Sequence, residues 1–291
     1  MQTWLILTLG FALLHSTVAI LDKSVLKNGE IDALSFSTIR YAANSIVSLF
    51  FVLFIFGELE GGINVQMIVL SMLYFLAGVT YFYALKFDDV SKLMPYRDSI
   101  NVLLSYFLAV IVLSERSLPT DFAAVLLISV GGYIVWTDGK LAAPRKSTGI
   151  LLISASAVFL SLNGIVAKSL IVSVSPLTVA FFMYMLVTAY FSALVLLSRR
   201  EEMKSTLNFI FQNKKNAVYT LFASFFAPLG VVMLFFALQQ QMASKVLPLS
   251  GTLPLFAAII GWLILKEKHG ATRVFGSLLL IAGIYILSAG H

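Results

Sequence analysis

The chain has 291 residues, 59% of them hydrophobic and 12% charged, with a mean hydropathy of +0.95. About a quarter of the residues in an ordinary soluble domain are charged, so this composition excludes a soluble fold and leaves a polytopic membrane protein. The net charge of +6 is no nucleic-acid footprint, because the basic residues sit between apolar runs, and the absence of cysteine excludes disulfides, thiolate metal sites and a cysteine nucleophile.

A helix needs about 20 apolar residues to cross a hydrocarbon core of about 30 Å. Ten segments meet that requirement: 2–21, 33–57, 67–85, 93–113, 119–137, 149–171, 176–197, 217–238, 244–265 and 272–289. The first begins MQTWLILTLGFALL, lacks the basic flank of a cleaved leader, and reads as a membrane helix. The links are short and many carry turn chemistry, such as Asn28-Gly29, Gly61-Gly62 and Ser175-Pro176. The most hydrophilic link, SRREEMKSTLNFIFQNKKN, reads as a short interfacial helix between spans 7 and 8. The expected fold class is an all-α membrane protein with ten transmembrane helices.

Lys and Arg fall mainly after the odd-numbered spans, as at Lys23 and Lys27, Lys140, Arg145 and Lys146, and the run from Arg199 to Lys215. The positive-inside rule places those loops in the cytoplasm and both termini outside, in a multi-pass protein of the cell membrane.

The sequence also repeats itself. VSKLMPYRDS, an apolar run, Glu115-Arg116 and a second run through Gly131-Gly132-Tyr133 return as ASKVLPLSGT, an apolar run, Glu267-Lys268 and a run ending Gly283-Ile284-Tyr285. The first spans of the two halves pair Lys23 with Lys168 and Ser16 with Ser161. The second spans pair Tyr41 with Tyr184 and Arg40 with Met183. Residues 1–139 and 146–291 are therefore expected to form two five-helix repeats. An odd number of spans per half makes the duplication inverted, a design of secondary transporters with a site near the midplane.

Ten helices in two inverted halves, each closing with a proline, an apolar run, a glutamate, a second apolar run and a glycine, resemble the EamA-type members of the drug/metabolite transporter superfamily. The residues that carry the resemblance are Lys23 and Lys168, Arg40, Pro95 and Pro248, and Glu115 and Glu267. It covers essentially the whole chain. It implies alternating access around a cavity lined by spans 1–4 and 6–9. The implied cargo is a small polar metabolite: an amino acid, amine, sugar or phosphorylated compound.

Ionisable groups inside a membrane are costly, roughly 2.5–3.5 kcal/mol at a helix centre on insertion scales, so each is a functional candidate. Tyr96, Arg97 and Asp98 lead, because Leu249, Ser250 and Gly251 stand opposite them in the other half. Arg97 suits a carboxylate or phosphate through its planar fork, with Tyr96 stacking and Asp98 holding a proton or a cationic group. The alternative is a pair of interfacial charges bonded to other helices. Arg40, His15, Asn163, Tyr81 and Asn101 complete the expected substrate-binding set, each with a packing role as the bland alternative. Pro228, Gly230, Pro248, Gly251 and Pro254 are the expected bending points, and Lys23 and Lys168 the expected gating or bracing pair. Glu115 and Glu267 are expected to brace their own hairpins, as caps; the remaining tyrosines and phenylalanines of spans 3, 4, 7 and 8 are expected mainly at lipid. The expected partners are a small-molecule substrate, the bilayer, and protons or a counter-substrate, in a monomer or homodimer. No cofactor, metal or nucleic acid is expected. No His-Glu-x-x-His motif is present and the three histidines are scattered, so an enzyme is not expected. The competing reading is a lipid-carrier translocase or an accessory subunit without a solute path.

Overall fold

The computed structural model describes residues 3–26, 31–56, 59, 61–84, 87, 90–137, 147–265 and 271–289. Among them are twelve α-helices and no strand. They are α1 (Thr3–Leu26), α2 (Ala33–Phe51, continued by a π-helical turn Val52–Phe56), α3 (Val65–Ala84), α4 (Val90–Val112), α5 (Pro119–Thr137) and α6 (Ser147–Leu170). The second half continues with α7 (Pro176–Ser198), α8 (Arg200–Gln212), α9 (Lys214–Gln240), α10 (Ala243–Ser250), α11 (Leu253–Leu265) and α12 (Ala271–Ala289).

Local chemistry sets the helix starts. Asp32 caps α2 by accepting from Ser35 N at 2.9 Å, and Ser175 caps α7 ahead of Pro176. Asn213 caps α9 through Lys215 N at 3.0 Å. Each side-chain oxygen meets one of the four N–H groups that a helix start leaves without an internal partner.

Eight stretches are long and apolar enough to cross a membrane: α1, α2 with its π turn, α3, α6, α7, α9, Ala243–Ile260 and α12. The apolar α5 is shorter, and α4, which carries Arg97 and Asp98, falls outside that set. Large apolar side chains such as Ile46, Val172, Leu197 and Tyr285 point outward, as a lipid-facing surface requires. The short α8 forms where an interfacial helix was expected, with Thr206 and Ile210 turned inward.

Spans consecutive in the chain alternate in direction, and α1 and α9 pack antiparallel, with Gly10 against Met233 and His15 against Gly230. One end of the bundle, here the Asp32 end, gathers the starts of α2, α4, α6 and α9. The other, the Glu115 end, gathers the starts of α5, α7 and α10. The main apolar core runs through the middle around Tyr184 and Phe191 of α7.

Close backbone approach fixes α5 against α12. A Cβ on Gly131 would lie 2.8 Å from Gly276 O and 2.9 Å from Leu280 N, and one on Gly283 would lie 2.8 Å from Ala124 O. Small residues allow such contacts where no hydrophobic effect drives helices together in lipid. One expected span differs: 244–265 is not a single helix, because α10 stops at Ser250 and α11 starts at Leu253. Gly251 N and Thr252 N turn back to Pro248 O and Leu249 O at 3.0 and 3.1 Å, tightening the break.

Candidate functional site

The Arg97 guanidinium bonds to the carboxylate of its own neighbour. Nε and Nη2 both reach Asp98 Oδ1, at 3.1 and 3.0 Å, so one carboxylate oxygen carries the pair. The expected alternative, charges bonded to other helices, therefore gives way to self-pairing on α4. The side chains remain 19% and 17% exposed. Arg97 Cζ lies 4.9 Å from the Tyr81 ring centre on α3, a cation–π contact that orients the guanidinium plane. Tyr96 packs instead into a small cluster with Tyr81, Leu93 and Ile153. Asp98, Ser99 and Val102 line a narrow crevice with Gly132, Gly251 and Pro254 that leaves no room for a water molecule.

A second ion pair lies across α1 and α2. Arg40 Nε is 3.0 Å from Asp22 Oδ1 and Nη2 is 3.2 Å from Oδ2, while Nη1 reaches Asn44 Oδ1 at 3.2 Å and Ser224 Oγ at 3.3 Å. The guanidinium is buried; Nη1 and Nη2 are hydrogen-bonded, whereas Nε meets Asp22 Oδ1 as an ion-pair contact without hydrogen-bond geometry. Asp22 was not among the candidates; beside Lys23 near a helix end it reads as an interfacial charge.

Tyr41, Tyr74 and Tyr184 come from three helices and form a triangle, with ring centres 5.9, 6.3 and 6.5 Å apart. Phe191 stacks on Tyr41 at 5.1 Å. Expected mainly at lipid, several of these aromatics prove to be core: Tyr184 is 1%, Phe235 3% and Tyr106 5% exposed. In helices apolar all round, hydropathy does not mark the inner face. Tyr83 is 36% exposed and borders a shallow cleft of about 50 Å³ at the Asp32 end with Asp32, Leu34, Phe82 and Arg199.

The amides act between helices. Asn101 Oδ1 accepts from Ser161 Oγ at 2.9 Å, and the Asn101 carbonyl lies 3.4 Å from the same hydroxyl. Ser16 Oγ lies 2.7 Å from the Leu253 carbonyl. Asn163 Nδ2 donates to Leu70 O at 2.8 Å. His15 is removed from Arg97: its ring lies 4.2 Å from Phe11, and a Cβ on Gly230 would fall 2.6 Å from its Nδ1.

The expected bending points differ among themselves. Pro228 sits inside an unbroken α9, whereas Pro248, Gly251 and Pro254 flank the α10–α11 break. Lys23 is exposed. Lys168 Nζ donates to Leu238 O at 2.5 Å and Gln241 O at 2.8 Å. Glu115 does not brace its own hairpin. Its two oxygens accept from Ala243 N and Ser244 N, both at 2.8 Å, at the start of α10. Glu267 lies outside the described residues.

Comparison with known proteins agrees with this architecture. An uncharacterized transporter of Archaeoglobus fulgidus is 26% identical over 225 residues, 76% of this chain and 74% of its own. An uncharacterized protein of Methanocaldococcus jannaschii is 31% identical over 84 residues, 29% of this chain and 61% of its own. A protein of known crystal structure superposes with a TM-score of 0.78 over 97% of this chain and 96% of its own, and its 15% identity speaks for the fold alone. The sequence model of the EamA-like transporter family matches residues 2–137 and 147–289. With that match over nearly the whole chain and helices long and apolar enough to cross a membrane, this chain belongs to the EamA-like transporter family.

Proposed function

We propose that this transporter is a secondary carrier of a small zwitterionic or anionic metabolite, bound at Arg97, Asp98 and Tyr81. The observation that carries the reading is the Arg97–Asp98 pair. It is internally neutral, partly exposed and backed by an aromatic face, and it uses only one carboxylate oxygen. A zwitterion can replace the pair charge for charge, its carboxylate on Arg97 and its ammonium on Asp98, so two buried charges are never left uncompensated. Arg40 is a brace in this reading, because Nη1 and Nη2 are already hydrogen-bonded within the bundle. Asn101, Asn163, Tyr96 and His15 shape the surrounding helices.

Transport in this reading proceeds by alternating access between inverted halves, residues 1–139 and 146–291, with ten spans once α4 and α5 join the eight. Matched contacts support the repeat. Ser16 meets the Leu253 carbonyl as Ser161 meets Asn101, and Gly131 meets Gly276 and Leu280 as Gly283 meets Ala124 and Ile128. Tyr41 and Tyr184, paired by the repeat, meet at its centre. The distribution of Lys and Arg favours a cytoplasmic Asp32 end and outer termini.

The test is thermal stability of the purified protein against amino acids, amines, sugar phosphates and nucleotide sugars, beside Arg97→Ala. A ligand bound only by the native state raises Tm by mass action. Stabilisation by one zwitterionic or anionic class, lost in Arg97→Ala, is the expected result. Equal stabilisation of both proteins would move the site away from α4.

A further inference from the structure

Arg199, Arg200, Lys204, Lys214 and Lys215 all fall between the end of α7 and the first turn of α9. Their depth is set by what lies beside them. Leu196 and Leu197 at the end of α7 are exposed, the second to 88%, and Leu221 and Phe222 two turns into α9 are exposed as well. Apolar side chains turned outward on both helices belong in hydrocarbon, so the basic residues one or two turns beyond them stand at headgroup level. Tyr219, whose ring lies 5.5 Å from Lys215 Nζ, is an aromatic of the kind that gathers at that level.

The helix between them, α8, crosses the end of the bundle. Arg199 pairs with Asp32 at the start of α2, and Ile210 packs with Val25 and Phe36, against the corner of α1 and α2. The surface of α8 divides into three sides. Thr206 and Ile210 are buried toward the bundle. Glu201, Ser205, Asn208 and Gln212 share an exposed polar side. At 3.6 residues per turn, Arg200, Lys204 and Phe211 fall within about 40° of one another on the remaining side, with Leu207 between them and the bundle. Phe211 is 73% exposed. Lys204 bonds to Glu201 at 3.0 Å, but both side chains are more than half exposed, so solvent screens the pair and the ammonium stays available.

We propose that this side of α8, together with Lys214 and Lys215, is a binding surface for anionic phospholipid. The cations take the headgroup phosphate and Phe211 enters the boundary with the acyl chains, which is how an interfacial helix with a basic and aromatic side holds a membrane. A soluble phosphate compound would satisfy the cations and leave Phe211 in water. The inference is independent of the Arg97 site.

The full-length protein is purified in an uncharged detergent, and its Tm is followed as dioleoylphosphatidylglycerol or dioleoylphosphatidylcholine is added to the micelles. A lipid bound by the folded state raises Tm by mass action. The expected result is a saturable rise with the anionic lipid, little with the zwitterionic one, and a smaller rise at high salt than at low. Arg200→Gln, Lys204→Gln and Lys215→Gln should each raise the half-saturating lipid concentration by roughly fivefold, the factor for one basic side chain at an anionic surface. Phe211→Ser should raise it too. These residues are exposed, so the variants should keep the parent Tm without lipid. Arg116→Gln, at an exposed basic residue of the Glu115 end, should leave the lipid response unchanged. No rise with phosphatidylglycerol, an equal rise with both lipids, or a response unaltered in all four α8 and α9 variants would overturn the proposal. So would an equal rise with free glycerol phosphate, which would make the cluster a soluble-phosphate site in which Phe211 has no part.

Discussion

The Asp22–Arg40 pair gives the sharpest quantitative prediction, because the other half of the chain contains its natural replacement. Aligning Lys23 with Lys168 puts Ala167 at the place of Asp22, and Met183 stands at the place of Arg40. Both are buried and uncharged. The pair is thus present as a unit in one half and absent as a unit from the other. Its side chains are 8% and 27% exposed, and Arg40 also holds Asn44 and Ser224. Removing one member of a buried pair leaves an uncompensated charge, at a cost of about 3–5 kcal/mol. Arg40→Met alone, or Asp22→Ala alone, should therefore lower Tm by roughly 6–20 °C at about 2–4 °C per kcal/mol. The double variant carries no orphaned charge and should recover most of that loss, with a coupling energy above about 2 kcal/mol in the double-mutant cycle. The assay is thermal unfolding of the four proteins in one detergent at one pH. Strictly additive losses would mean that the two groups do not depend on each other and that the brace is misassigned.

Three further substitutions test the packing. Gly131→Ala should destabilise the α5–α12 contact by about 1–3 kcal/mol, because its Cβ would fall within 3 Å of backbone atoms that cannot yield. Gly132→Ala, whose nearest neighbour is Pro254 Cγ at 3.6 Å, should leave Tm almost unchanged; equal effects at both positions would undo the argument. Asn163→Leu removes the bond to Leu70 O and should cost about 0.6–1.7 kcal/mol, the range for interhelical bonds in membrane proteins, read as a Tm shift.

The helical membrane class was legible because apolar length is a strong signal: 20 residues without charge have few other uses. The inner face of each helix was not. Tyr184 and Leu151 lie in similarly apolar helices, yet one is 1% and the other 71% exposed, and only the neighbouring helices decide between them. Arg97 and Asp98 stood out because charge inside a span is rare, but their bonding to each other is a matter of side-chain rotamers. Asp22 went unread because its partner is 18 residues away on another helix. Glu115 was placed correctly at a helix end, yet its acceptors' partners lie 128 and 129 residues further on. Capping a neighbour and capping one's own hairpin leave the same residue in the sequence.

The broken span joins packing to the candidate site. Three features of 244–265 could interrupt a helix, Pro248, Gly251 and Pro254, whereas Pro228 leaves α9 continuous. Proline is therefore not sufficient, and the geometry at Gly251 supplies the missing condition. Its φ of −69° suits any residue, so backbone freedom is not what selects glycine there. A Cβ would instead collide with Val102 Cγ2 on α4, one turn beyond Asp98. Glycine at this position lets the α10–α11 corner press against the helix that carries the Arg97–Asp98 pair, and Gly251 and Asp98 line the same crevice. Gly251→Ala should consequently lower Tm by an overpacking cost of about 1–3 kcal/mol, and Val102→Ala in the same protein should return part of it by removing the colliding methyl. If the loss is the same with valine or alanine at position 102, the collision is not its cause, and the corner must be set within α10 and α11 themselves. If the pair of substitutions restores stability, ligand-induced Tm shifts in Gly251→Ala alone should be the more weakened, because the displaced α4 carries Arg97 with it.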